Sequence, residues 1–555
     1  MEKRFSLGLD FGSLSCRAVV ADVRDGSVTG SASFAYPHAV MDRALPCGTP
    51  LPPGTALQHP GDYLDALAHA VPEALAAAGI SPSELCGIGV DFTACTMLPV
   101  TADGTPLCFL PGFTAEPHAY VKMWKHHSAQ PQADRINALA AARGEAWLAR
   151  MGGRASSEWM LPKILETLEN APAVYDAAFR FLEAGDWIVW MLTGRESHGL
   201  PCAGYKAFWD PASCRYPDNS FFTALDARLD GLAGTKLSAC ILPAGARAGE
   251  TDEAGARRAA LVPGIPVAAA NPDGHVAYAA LGKAEPGDML LVLGTSGSYF
   301  VTSDSFRPVP GICGAVYGGV LPGLWGYESG QCCFGDHFDW FVQNCVPASY
   351  EKEAAARNMN LHALLRERAA RLRPGECGLL ALDWWNGNRS VLDDSDLSGV
   401  LFGLTLRTRP EDIYRALLEA VAFGLRVILD THSGAGIPVH TLLAAGGIAH
   451  KDPLLMQILA DVTGRPIRVA ASREAPALGS AIFAAAAGGA YSGVAEAAAR
   501  MGRTLPGGYT PREDAHAVYD LLYADYRRLH DTFGRGGNDV LKRLSALAAS
   551  PSDPR

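Results

Sequence analysis

The 13 cysteines include no CxxC pair, and the only neighbours, Cys332 and Cys333, are adjacent. This excludes the thiolate spacing of structural zinc sites and of thioredoxin-like redox centres. It predicts reduced, mostly buried thiols in a cytoplasmic protein. Basic residues are not in excess either. With 47 Lys and Arg against 58 Asp and Glu, the formal charge is −11, which argues against general binding to nucleic acid or to an anionic membrane surface. No apolar stretch approaches the roughly 20 residues of a bilayer span. In MEKRFSLGLDFG, Asp10 interrupts the opening apolar run before it reaches signal-peptide length.

What is present is a well-buried globular pattern, 48% hydrophobic and 19% charged. At 555 residues the chain exceeds one ordinary core, so at least two domains are expected. The order of elements partly repeats. FSLGLDFG reads as a strand ending in a glycine turn, CRAVVADV as its return, and Asp25-Gly26 as a hairpin turn into SVTGSASFAY. A helix with Leu64, Leu67, Val71 and Leu75 on one face follows, bent at Pro72, and then the strand Cys86 to Phe92. After the polar segment GETDEAGARR, the run MLLVLGTSGSYFVTSD is again strand, turn and strand. A long amphipathic helix, a strand ending in Gly446-Gly447, and a helix capped by Asp452, Pro453 and Gly464 follow. The predicted division is 1–262, 263–495 and a helical segment 496–555, with two α/β domains of mixed sheets.

Neither glycine turn is a P-loop or a dinucleotide fingerprint, because each leads from strand to strand without the Lys or the helix. What remains is Gly12-Ser13-Leu14-Ser15 in one half and Gly294-Thr295-Ser296-Gly297 in the other. Glycines let backbone amides approach an anion, and the hydroxyls add donors, so each turn suits phosphate oxygens. Asp273 raises a further question. It lies in VAAANPDGHVAYAALG, between two small-residue apolar runs, where a carboxylate must be solvated by a cleft, paired, or used. By spacing alone it serves equally as a cap for the helix beginning at His275. His126 and His127 carry no zinc assignment, since adjacent side chains face apart and no acidic partner is spaced with them.

Together, LGLDFGSLSCRA, GIGVDFTACTMLPV, VKMWKHH, SSEWMLPKI, CAGYKAFW, GYESGQ, LALDWWNGNRS, AAGGIAHKDPLLMQILADVTGRPI and APALGSAIFAA resemble the FGGY carbohydrate kinases over nearly the whole chain. DFTACTM and LDWWNGNRS resemble in particular the branch of that family acting on L-ribulose. The resemblance implies two ribonuclease H-like domains of the actin, hexokinase and Hsp70-like fold around an interdomain cleft. It implies ATP and Mg²⁺ as cofactors, and ATP-dependent conversion of L-ribulose to L-ribulose 5-phosphate in arabinose breakdown. Asp273 would be the catalytic base, and Asp10 would hold Mg²⁺ through water. Gly12, Ser13, Ser15, Arg17, Gly294, Thr295 and Ser296 would serve the phosphates, and Gly446, Gly447 and Asp452 the adenosine side. Ala94, Trp124, Lys206, Asp273 and Glu328 would surround the ketopentose.

The family pattern is departed from at Pro272, Gly274, Ser298 and Asp452, which bears on nucleotide affinity or rate and leaves the carboxylates and glycine turns intact. Two alternatives stand beside this expectation. One is a kinase for D-ribulose, ribitol or D-xylulose, because stereochemistry is read by few side chains. The other is a nucleotide-binding switch without turnover, against which the intact Asp273 argues. The expected partners are the small-molecule sugar and ATP. A homodimer is the one assembly considered, and no residue pattern carries it.

Overall fold

The computed structural model describes residues 4–283 and 285–549. Its first sheet begins as a meander. Strand Phe5–Phe11 pairs antiparallel with Ser15–Asp22, which pairs antiparallel with Val28–Ala35. Gly26, at φ 70°, supplies the left-handed turn between the last two. Helix Pro60–Ala78 then crosses the sheet and buries Leu67, Val71 and Leu75, with Leu64 only partly covered. It starts on Pro60 and stops at Gly79 in the left-handed conformation. Leu85–Phe92 returns parallel to the first strand.

The second sheet repeats this order. Asp288–Leu293, Gly297–Ser303 and Trp325–Gln331 form the antiparallel meander. Helix Pro410–Gly434 precedes Thr441–Ala445, which lies parallel to Asp288–Leu293. The next helix, Pro453–Thr463, has the caps read from its sequence, with Asp452 accepting from the Leu455 N–H and Gly464 in the left-handed conformation. Ile467–Val469 extends the sheet.

The expected boundary at 262/263 needs correction. Val267 lies opposite Ile88, and Asn271 and Pro272 lie opposite Asp91 and Phe92, so Pro266–Ala268 and Asn271–Pro272 are strands of the first sheet. The polar stretch ahead of that boundary forms an edge strand, Arg247–Glu250, and a short helix, Glu253–Arg258. The reading failed because the crossover joining the fourth strand to this fifth one contains a large insertion. That insertion supplies Met97–Val100, Val121–Lys122 and Arg180–Glu183 of a small separate sheet, whose outer strand Leu57–Gln58 comes from ahead of the helix Pro60–Ala78. It also has its own apolar core around Trp147, Trp159, Phe208 and Phe221. Nor is the segment expected at 496–555 a separate body over its described residues, which end at 549, since helix Glu513–Gly534 places Tyr519, Tyr523 and Tyr526 in the second lobe's core.

Helix Ala475–Ala487 follows the second sheet in sequence yet lies on the first. A Cβ at Gly8, Gly87 or Gly89 would fall 1.9, 2.3 or 2.0 Å from the carbonyl oxygens of Ala477, Ala484 and Ser480, so only glycine permits this approach. Around this helix a core containing Ala21 and Cys86 of the first lobe and Leu290, Phe300 and Leu443 of the second joins the two. Among the described residues no cysteine is joined in a disulfide, but Cys47, Cys214, Cys240 and Cys345 are exposed, so burial is less general than expected. Among the described residues, no helix is long and apolar enough to cross a membrane.

Candidate active site

Three carboxylates gather where the strands of the first sheet end. Asp10 and Asp91 are paired in register on neighbouring parallel strands, and Asp273 directly follows the strand Asn271–Pro272 on the other side of Asp91. Asp10 and Asp91 are buried, while Asp273 keeps part of its surface open. Burial, and then the neighbouring Asp10, push Asp273 up to about 7, against the Gly274 N–H that its Oδ1 accepts at 2.6 Å. Burial also raises Asp10, opposed by Arg17, whose guanidinium lies 3.8 Å away. Asp91 is raised furthest, by burial and then by Asp10, and its Oδ2 accepts from Ser480 of the shared helix at 2.5 Å. Two negative charges placed side by side in a dry environment favour a retained proton or a cation between them.

Lys206 ends helix Leu200–Lys206, and its ammonium donates to both oxygens of Glu328 at 2.9 Å. Burial would pull the lysine down, but the Glu328 carboxylate outweighs it and holds Lys206 above its ordinary value. In turn Lys206 overcomes burial to keep Glu328 low. The pair therefore stays charged, and both groups act on Asp273, Glu328 raising it and Lys206 lowering it. His275, buried between Tyr205 and Phe300, is pushed down to about 4 by burial, so it stays neutral beside Glu328.

Trp124 and Ala94 are fixed by an element whose role sequence reasoning missed. Helix Met160–Asn170 sends Lys163 into the interior, where its ammonium donates to the carbonyls of Cys95 at 2.6 Å and Met123 at 2.7 Å. One buried cation thus ties the Ala94–Cys95 turn to the chain just before Trp124. The indole Nε1–H of Trp124 donates to Ser13 Oγ at 3.0 Å, which links Trp124 to the first glycine turn. From the same helix, Glu166 pairs with Lys122 at 2.6 Å and accepts from His126 at 2.9 Å, while His127 is exposed. The two histidines do diverge. Glu166 is the acidic partner that the sequence reading did not find, and it completes a buried hydrogen-bond network.

In the first turn, the Gly12 N–H closes onto the Ser15 carbonyl at 2.9 Å, and Arg17 reaches Glu474 at 3.3 Å as well as Asp10. In the second, Gly294 and Thr295 are exposed, and their carbonyls accept from Gly335 at 3.0 Å and Phe334 at 2.8 Å, while the Ser296 carbonyl accepts from the Gly294 N–H at 3.1 Å. Gly446 abuts this turn. Its φ is 96°, and a Cβ there would stand 2.4 Å from the Leu293 carbonyl oxygen, whereas one at Gly447 would meet nothing within 4 Å. Asp452 is buried, caps its helix, and reaches Arg366 at 3.3 Å.

Asp10, Asp273, Lys206 and Glu328 are thus brought into one electrostatic neighbourhood, and Ser13 and Trp124 into contact. Sequence reasoning passed over Asp91, Lys163 and Arg389. Each lies in a quoted segment, but only the folded chain distinguishes such groups from ordinary interior polar residues. A divalent cation fits this donor set. The oxygens are hard, the carboxylates repel one another, and Asp91 Oδ1 is a buried oxygen with no hydrogen-bond partner.

Comparison with known proteins agrees with this architecture. Residues 5–282 match the N-terminal domain of the FGGY family of carbohydrate kinases, and residues 289–488 match its C-terminal domain. The chain is 48% identical to a ribulokinase of Geobacillus thermodenitrificans, over 98% of this chain and 97% of that one. It is 49% identical to a ribulokinase of Mycolicibacterium smegmatis, over 99% and 97%. The crystal structure of a xylulose kinase from Rhodospirillum rubrum superimposes with a TM-score of 0.76 at 26% identity, covering 95% of this chain and 99% of that one. With both of its domains matched, in the order and the topology described above, the chain belongs to the FGGY family of carbohydrate kinases.

Proposed function

We propose that the protein transfers the γ-phosphoryl group of ATP to the terminal hydroxyl of L-ribulose, giving L-ribulose 5-phosphate. The observation that carries this reading is Asp273, a partly exposed carboxylate held near neutrality, with Asp10 on one side and the Lys206–Glu328 pair on the other. A base of that strength accepts a hydroxyl proton at physiological pH as the oxygen attacks phosphorus, and loses it again to water after release. The name carried by relatives at 48–49% identity supports ribulose as the acceptor.

Phosphoryl transfer requires in-line positioning and compensation of charge more than covalent chemistry by the protein. The Gly12–Ser15 and Gly294–Gly297 turns offer backbone amides and hydroxyls to phosphate oxygens, and Gly446 clears space beside the second. Lys206 and Glu328 share their charges with the sugar hydroxyls, and Trp124 walls the site. Asp10 would hold Mg²⁺ through water, and Asp91 would set its orientation. Bound there, the cation would neutralise phosphate charge. Thiols that form no disulfide among the described residues support a reducing compartment, the cytoplasm, as the place of reaction.

The test is formation of a phosphosugar from Mg²⁺-ATP across L-ribulose, D-ribulose, D-xylulose, ribitol and glycerol, beside Asp273→Ala. The expected result is strong turnover with L-ribulose that falls by about 10²–10⁴ in the variant. Transfer confined to another acceptor would overturn the substrate. Sugar-independent ADP release would overturn the transfer.

A further inference from the structure

A cavity of about 180 Å³ opens beside Lys206 and Glu328, and the function proposed above does not use its far wall. That wall carries Glu158 and Trp159 from the insertion of the first lobe and Cys313 and Arg389 from the second. Arg389 belongs to LDWWNGNRS, and Glu158 to SSEWMLPKI, the segment that also carries Lys163. The guanidinium donates to Glu158 Oε1 through Nη2 at 3.3 Å, and its carbon lies 5.9 Å from the centre of the Trp124 ring. Both side chains keep a minor share of their surface open, 21% for Arg389 and 17% for Glu158, so donors and acceptors remain available to a small molecule.

The charged groups form a series. Lys206 and Glu328 line one cavity with Glu158 and Arg389, and Glu328 also reaches His275, which shares a short helix with Asp273, at 3.6 Å. The Lys206–Glu328 pair thus links Asp273, at the strand ends beside Asp91 and Asp10, to Arg389 and Glu158. If the terminal hydroxyl of a ketopentose stands at Asp273, its opposite end, a hydroxymethyl group beside a carbonyl, extends toward Arg389. Arginine has five donors and no acceptor, so it can serve a carbonyl oxygen. Ionised Glu158 only accepts, so it can take the hydrogen of the neighbouring hydroxyl. A pentitol has a hydroxyl where the ketose has the carbonyl, and presents an additional donor to that guanidinium.

The geometry points to Arg389 and Glu158 as the pair that reads the hydroxyketone end of the sugar and so selects ketopentoses over pentitols. This rests on the reading of Asp273 as the base at the opposite end. The pair also joins the insertion of one lobe to the other lobe, so occupancy of this end favours the arrangement in which both lobes meet the sugar.

The test is equilibrium binding of L-ribulose and of ribitol to the nucleotide-free full-length protein by calorimetry, for wild type, Arg389→Gln, Arg389→Lys and Glu158→Gln. ADP affinity and the unfolding midpoint of each variant serve as checks on folding. Arg389→Gln is expected to weaken L-ribulose about 10- to 100-fold and ribitol less than about 3-fold, because a site built around a hydrogen bond discriminates strongly when that bond is lost. Arg389→Lys and Glu158→Gln should fall between, with ADP affinity unchanged. Equal weakening of both ligands, or unchanged L-ribulose binding, would overturn the assignment, and if Arg389→Gln proves unfolded the same criteria apply to Glu158→Gln. Should the wild type phosphorylate a different ketopentose, the substrate proposed above fails and the pair is judged on that sugar. A wild type that phosphorylates only pentitols overturns both.

Discussion

The two lobes have the same succession of strands but end them differently. In the first, the register pair at the strand ends is Asp10 and Asp91; in the second, the corresponding pair is Val292 and Ala445, followed by Gly294 and Gly446. One lobe concentrates acid where its backbone turns, and the other removes side chains there. A single topology thus ends in two chemically opposite surfaces. On the function proposed above, the carboxylates would serve the proton and the cation, and the bare backbone a polyphosphate, whose own charge would be repelled by acids.

The largest effect expected from breaking this asymmetry is on the acid side. Asp273→Asn should lower kcat by about 10²–10⁴ while leaving ADP affinity within about 3-fold, measured by coupled assay and calorimetry. The next follows from the buried ion pair. Lys206→Met should raise KM for the sugar at least 10-fold and reduce stability, because Glu328 is left uncompensated, and the double variant Lys206→Met/Glu328→Gln should recover part of the stability in denaturant unfolding.

On the glycine side, Gly446→Ala should raise KM for ATP severalfold without changing sugar binding, since the new Cβ collides with the Leu293 carbonyl in a strained conformation. Gly447→Ala, with open space around it, should change it little. Acidity offers a fourth comparison. As kcat/KM reports the free enzyme, it should fall below pH 7, where Asp273 takes up its proton. Stability has the opposite sign. The folded-state value of Asp273 lies above its unfolded value, so this group costs stability as pH rises from about 4 toward 7, and Asp273→Asn should raise the unfolding midpoint more at pH 8 than at pH 4. The smallest effect is expected at Asp452. Asn caps a helix as well as Asp, so Asp452→Asn should lose only the Arg366 contact and alter KM for ATP less than about 3-fold.

Much of the fold was legible because its elements are punctuated locally. Asp25-Gly26, Gly79, Asp452-Pro453 and Gly464 each mark a turn or a helix end by their own chemistry. The boundary was not legible, since pairing of Val267 with Ile88 is a long-range event across an insertion with its own core, and no local residue announces it. The site divides in the same way. Asp273 and the two turns stand out by position in the chain, and the resemblance supplied Lys206 and Glu328. Asp91 looked like one more strand-end residue until its register brought it beside Asp10, and Lys163 like one more helix residue until its ammonium met two carbonyls 68 and 40 residues distant in the chain. Asp452 shows the converse, a residue assigned to the nucleotide whose carboxylate is occupied by its own helix and Arg366.

The helix Ala475–Ala487, seated on Gly8, Gly87 and Gly89, makes the lobes inseparable as folding units. A first lobe expressed alone would present to water a strip of backbone with no side chains to cover it, and a chain cut before Ala475 would lose the surface on which that strip closes. Circular rearrangement or domain exchange among such proteins must therefore move this helix together with the sheet it covers and not with the sheet it follows.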